Sequence, residues 1–96
     1  MIRHVVLFKL KPDASAEDKE AWLEQARSMP KQIDVLRAFS VGEDVLRGER
    51  SFDIALVADF DSSADAKVYA GHPAHKPVQE MGRSLWSQVA NVDFEI

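Results

Sequence analysis

Residues 52–60, Phe-Asp-Ile-Ala-Leu-Val-Ala-Asp-Phe, alternate with a period of two. Phe52, Ile54, Leu56, Ala58 and Phe60 fall on one face, and Asp53, Ala55, Val57 and Asp59 on the other, which is the pattern of a strand between two environments. The same period runs from Ile2 to Lys11. There Ile2, His4, Val6, Phe8 and Leu10 share one face, and Arg3, Val5, Leu7, Lys9 and Lys11 share the other. Two such strands need a layer of helices against their richer apolar faces.

The segments between supply that layer. Pro12 and Asp13 end the first strand, and Ser15 with Asp18 three residues on resembles a capping box. A helix is expected from there to about Met29, with Trp22, Leu23, Ala26 and Met29 on its apolar side and Glu17, Glu20, Glu24 and Arg27 facing water. Pro30 stops it. Val35 to Val41 reads as a second strand ending at Gly42, and Glu43 to Arg50 as a charged hairpin connection. After the third strand, Ser62 and Asp65 suit a helix start that runs to Tyr69 before Gly71 interrupts it. A further helical piece is expected from about Pro77 to Gln88, carrying Val78, Met81, Leu85 and Trp86, and Val89 to Ile96 closes the chain as a strand. The order is β-α-β-β-α-β: an α+β, ferredoxin-like chain with two helices on one face of a four-stranded antiparallel sheet. It reads as one domain over residues 1–96, without repeats or linkers.

Helices on one face leave the other open. Val5 and Leu7 from the first strand and Ala55 and Val57 from the third make a central apolar patch there, rimmed by Arg3, Lys9, Asp53 and Asp59. Monomers seldom leave such a patch in water, so a homodimer through this sheet face is expected. Four such side chains, at about 1 to 2 kcal/mol each, are substantial beside the cost of association.

Composition limits the partners. Hydrophobic residues make up 46% and charged residues 29%, within the globular range, and the net charge is −4 with no basic block to follow a phosphate backbone. Nucleic acid is therefore not an expected partner. No apolar run has the roughly 20 residues that cross a bilayer, so no membrane role is expected. Cysteine is absent, which excludes disulfides and thiolate metal sites. The chain enters its first strand without a signal-peptide pattern, and a cytoplasmic location is expected.

One constellation can carry chemistry: Tyr69-Ala70-Gly71-His72-Pro73-Ala74-His75, with His4 added from the helix-facing side of the first strand. Histidine exchanges protons near neutral pH, and a tyrosine hydroxyl in a poorly hydrated pocket donates to a carbonyl or enolate oxygen. Such a set suits proton abstraction beside a carbonyl. The structural alternative has His72 capping the preceding helix, His75 bonding a backbone carbonyl, and Tyr69 as amphipathic core. No metal site is expected: His72 and His75 have Pro73 between them, no carboxylate completes a set, and Glu80 is too remote. No cofactor is expected.

The opening MIRHVVLFKLKP, the third strand FDIALVADFDS and above all YAGHPAH together resemble the stress-responsive dimeric α+β barrel (Dabb) family over essentially the whole chain. The resemblance implies a ferredoxin-like subunit and a homodimer whose sheets face one another. A plant polyketide cyclase of that family uses a tyrosine and a histidine that match Tyr69 and His75, and its HPAH run and first-strand histidine match His72 to His75 and His4. Its further pocket histidine on the third strand aligns with Ile54 here, which implies a less polar pocket. Three functions follow as expectations. In the first the protein binds or converts an apolar, carbonyl-bearing small molecule, with His75 as base, Tyr69 as donor, and His4 and His72 in support. In the second it is a non-catalytic dimeric module in stress response or binding. The third, by analogy with the wider ferredoxin-like barrels, is a cofactor-free monooxygenase or a haem-handling protein with His75 as axial ligand.

Overall fold

The computed structural model describes residues 1–96. Strand β1 (Ile2–Leu10) leads into helix α1 (Ala16–Ser28), a 3-10 turn (Met29–Lys31), strands β2 (Ala38–Glu43) and β3 (Ile54–Phe60), helices α2 (Ser63–Ala70) and α3 (Lys76–Gly82), and strand β4 (Trp86–Glu95). The four strands form one antiparallel sheet in the order β2-β3-β1-β4. The α+β, ferredoxin-like reading holds.

Both helix starts are set by serine. The Ser15 hydroxyl accepts from the Asp18 amide at 3.0 Å, and the Ser62 hydroxyl from the Asp65 amide at 3.2 Å, each satisfying one amide that a first helical turn leaves free. Trp22, Leu23 and Ala26 of α1 are buried against Val6, Ile54, Leu56, Ala58 and Phe60 from the inner faces of β1 and β3. The Trp22 indole N–H donates to the Val78 carbonyl at 3.1 Å, which ties α1 to α3.

The structure corrects several boundaries. The last helix stops at Gly82, and Trp86, expected on that helix, opens β4 instead. A side chain at residue 82 would put its Cβ 2.4 Å from Trp86 Nε1, so the indole occupies the space beside the helix end. The Leu85 amide turns back to the Gly82 carbonyl and the Lys11 amide takes the Leu85 carbonyl, starting the strand. Strand β2 begins at Ala38, not Val35, because Val35 and Leu36 lie outside it and pack against the core; it runs through Gly42 to Glu43. Strand β3 begins at Ile54: Phe52 lies outside it, beneath the Lys9 ammonium at 5.6 Å.

The β2–β3 connection is fixed by charge. The Asp53 carboxylate accepts from the Leu10 amide at 2.7 Å and from Arg47 Nη2 at 2.6 Å, while Arg47 itself takes a left-handed φ of 53°. Val45 and Leu46 are left exposed at its tip.

On the face away from the helices, Val5 stands opposite Val57 and Leu7 opposite Ala55. The register adds β4 to this patch: Val5 also faces Val92 and Leu7 faces Ala90, with Phe94 beside Arg3. Leu7, Val92 and Phe94 are 36%, 56% and 44% exposed. At one end Arg3 holds Asp59 through two bonds of 2.9 and 3.0 Å. The helices cover the inner side of β1 to β3, while β4 is exposed along nearly its whole length.

Candidate functional site

The site lies where α2 ends over β1 and the open strand β4. Gly71 terminates α2, with its amide directed to Lys67 and Tyr69 carbonyls, and the chain turns through His72 so that His75 flanks the start of α3. This turn returns His75 to Tyr69: their rings are 4.5 Å apart at 33°. Tyr69 also packs on Phe60 at 5.1 Å, and the His4 ring meets its edge at 6.0 Å. Tyr69, His75 and His4 therefore converge.

They line a cavity of about 550 Å³, whose apolar wall comes from Ile2, Phe60 and Ala66. That volume is within the range of small-molecule sites. A second cavity of about 360 Å³ shares His4 and His75 with the first and is otherwise walled by Val6, Phe8, Trp22, Val78 and Trp86, among others. The two histidines thus line both chambers. Ile54 lines neither and is 1% exposed in the core, so the apolar character of the site does not come from it.

His75 Nδ1 lies 3.1 Å from the Ala70 carbonyl. A carbonyl oxygen only accepts, so Nδ1 carries the proton, and in the neutral ring Nε2 is left with a free lone pair. Burial holds the His75 imidazolium below its ordinary value, against the Ala70 bond that favours the charged form; the charges of His4 and His72 add to the depression. The ring is then a neutral acceptor near pH 7. Burial also pushes the Tyr69 hydroxyl up to about 12, so it stays protonated and able to donate.

His4 is held differently. Its Nδ1 lies 2.5 Å from Asp93 Oδ1, its register partner on β4, and Asn91 Nδ2 donates to the other Asp93 oxygen at 3.3 Å. Sequence reading did not pick out Asp93. The signal was available: it alternates with Val92 and Phe94, which places it on the helix side of an edge strand, two residues from Asn91. His72 does not line either cavity; its Nδ1 accepts from the Ala74 amide at 3.0 Å and holds the turn. No three His, Asp or Glu side chains converge as metal ligands.

The chain matches the model of the Stress responsive A/B Barrel Domain over residues 2–96. It is 32% identical to an uncharacterised protein of Streptomyces coelicolor, over 99% of each chain. It is 22% identical to the olivetolic acid cyclase of Cannabis sativa, over 97% of this chain and 94% of the cyclase. Among solved structures, a dimeric protein of unknown function with a ferredoxin-like fold from Bacteroides fragilis superposes with a TM-score of 0.87 at 34% identity, over 99% of this chain and 95% of that one. A fold of inner helices over an open sheet, the match across residues 2–96 and these relatives agree: the chain belongs to the Stress responsive A/B Barrel Domain family.

Proposed function

We propose that the protein binds a carbonyl-bearing small molecule in the two neighbouring cavities and moves a proton from the carbon beside the carbonyl. Tyr69 donates to the carbonyl oxygen and to the enolate that replaces it, and His75 Nε2 takes the proton. The base returns it to carbon or oxygen to close the cycle; where the molecule carries a second carbonyl, the enolate carbon can attack it and close a ring. An apolar tail fits the chamber lined by Phe8, Trp22 and Trp86. The olivetolic acid cyclase likeness supports carbonyl chemistry. The observation that carries the reading is the His75 tautomer: a bond to the Ala70 carbonyl that leaves Nε2 basic, on a ring whose centroid lies 4.5 Å from that of Tyr69, whose hydroxyl stays protonated.

The protein works as a homodimer joined through Val5, Leu7, Ala55 and Val57, with Ala90 and Val92 added from β4. The patch is apolar and open, and the Bacteroides fragilis relative is dimeric.

The test is hydrogen–deuterium exchange beside the carbonyl of 2-decanone in heavy water, followed by NMR. The protein should speed exchange, with His75→Ala abolishing the effect and Tyr69→Phe lowering it about a hundredfold. Undiminished exchange by His75→Ala would overturn the assignment. The second reading, a non-catalytic dimeric module, is favoured by the backbone bonds of His72 and His75, and predicts no exchange above buffer.

A further inference from the structure

The first cavity is apolar at its base and charged at its mouth. Ser63 and Lys67, one turn apart on the same face of α2, both line it and are both exposed. Lys67 is the cavity's only lysine or arginine. It lies within 4.0 Å of no carboxylate, although Asp93 and Glu95 line the same space. Asp93 is occupied: His4 takes one of its oxygens and Asn91 the other. The site therefore holds an ammonium without an ion-pair partner, a neighbouring hydroxyl that can donate beside it, and an apolar interior leading to Tyr69 and His75.

We propose that Lys67, assisted by Ser63, recognises an anionic head group, so that the ligand class is an amphipathic carbonyl compound ending in a carboxylate. This rests on the small-molecule reading of the cavity. An ammonium on a flexible stem suits an anion as a point charge, and its methylenes cover the apolar wall while the head stays at the mouth. With the anion at Lys67 and the tail beyond His4 and His75, the carbonyl between them lies at Tyr69. Glu95 on the same rim repels the anion and tunes its affinity downward.

The experiment is calorimetric titration of the full chain with 4-oxodecanoate, the neutral 4-oxodecanamide and decyl phosphate, at low and high salt. The wild-type protein should bind the carboxylate about fivefold to tenfold tighter than the amide, with the preference shrinking as salt rises. Lys67→Gln should erase the preference of acid over amide, Lys67→Arg should keep it, and Glu95→Gln should enlarge it. Phosphate binding tighter than carboxylate keeps the cation site but assigns it to phosphoryl heads. Equal binding of acid and amide, or a preference that survives Lys67→Gln, overturns the proposal and leaves the cavity reading intact. Failure of all three probes to bind overturns both.

Discussion

His4 and Asp93 stand directly opposite each other on neighbouring strands, with Nδ1 and Oδ1 2.5 Å apart at the edge of the cavity. A carboxylate only accepts, so the proton of that bond sits on His4 Nδ1 and the ring is turned with Nε2 as its second, free nitrogen. Asp93 is thus a positioning residue for His4.

Asp93→Ala should free the His4 ring. Exchange of 2-decanone should fall about tenfold, and the 15N spectrum of His4 should change from one tautomer to a mixture. Asp93→Asn, which keeps an acceptor oxygen but no charge, should restore most of the single-tautomer signal. An unchanged His4 spectrum in Asp93→Ala would remove the positioning role even if activity fell.

The acid–base pair also fixes a pH profile. The folded pKa of His75 is depressed, so its neutral, basic form persists below the ordinary histidine value of about 6.5. Exchange should fall on acidification with a midpoint below that value. Tyr69, raised to about 12, imposes no loss on the alkaline side until close to that value. Stability follows the same signs: between the two His75 values the unfolded chain binds the proton more readily, so stability falls as pH drops below about 6.5. The unfolded tyrosine ionises first, so stability also falls as pH rises above about 10. A decline in exchange centred at 6.5 would show an unperturbed base and count against His75.

The strands of this fold were legible because their two faces meet different surroundings. Alternation in β1 and β3 is strict, and the serines at 15 and 62 advertise helix starts through a bond that needs only local chain. Trp86 was misplaced because its spacing from Val78, Met81 and Leu85 fits a helix as well as it fits a core cluster. The helix ends at Gly82, where the indole fills the space a side chain would take, and it is Phe8 and Trp22, far along the chain, that hold the indole there, contacts no local pattern records. In the site, Tyr69 and His75 were visible as a motif, but Asp93 acts from the other end of the chain and only the β1–β4 register brings it to His4. Lys67 has no sequence signal of its own, since a lysine on a helix face is ordinarily solvated, and only the folded chain brings it to the cavity that Tyr69 and His75 line.

Gly82 gives a direct test of that helix end. The Trp86 ring is held 4.6 Å from Phe8 and 4.8 Å from Trp22, so it cannot swing aside cheaply when a Cβ arrives 2.4 Å from its Nε1. Gly82→Ala would gain about 1 kcal/mol of helix propensity and lose about 1 to 3 kcal/mol to overpacking. The expected net is a destabilisation of about 1 kcal/mol, read as a lower urea midpoint with unchanged slope, accompanied by a shift in tryptophan emission. A variant more stable than the parent would mean that the ring is free to move.

The open sheet face yields the last prediction. Val57 sits at its centre, opposite Val5 and flanked by the β2 residue Ser40, on the side no helix covers. An aspartate there costs a monomer little, since the carboxylate meets water, and costs a sheet-to-sheet dimer about 3 kcal/mol or more, since two unpaired charges come together across the two-fold axis. Val57→Asp should therefore turn a dimer into a monomer in light scattering at micromolar concentration, while circular dichroism keeps the parent spectrum. Val68→Asp provides the control: Val68 is 51% exposed on α2, on the helical side, and its substitution should leave the dimer intact. Dimers from both variants would move the interface away from this face, and monomers from both would mean that the helical side takes part. Loss in Val57→Asp alone is the outcome required by a dimer built on the outward side chains of β1 and β3.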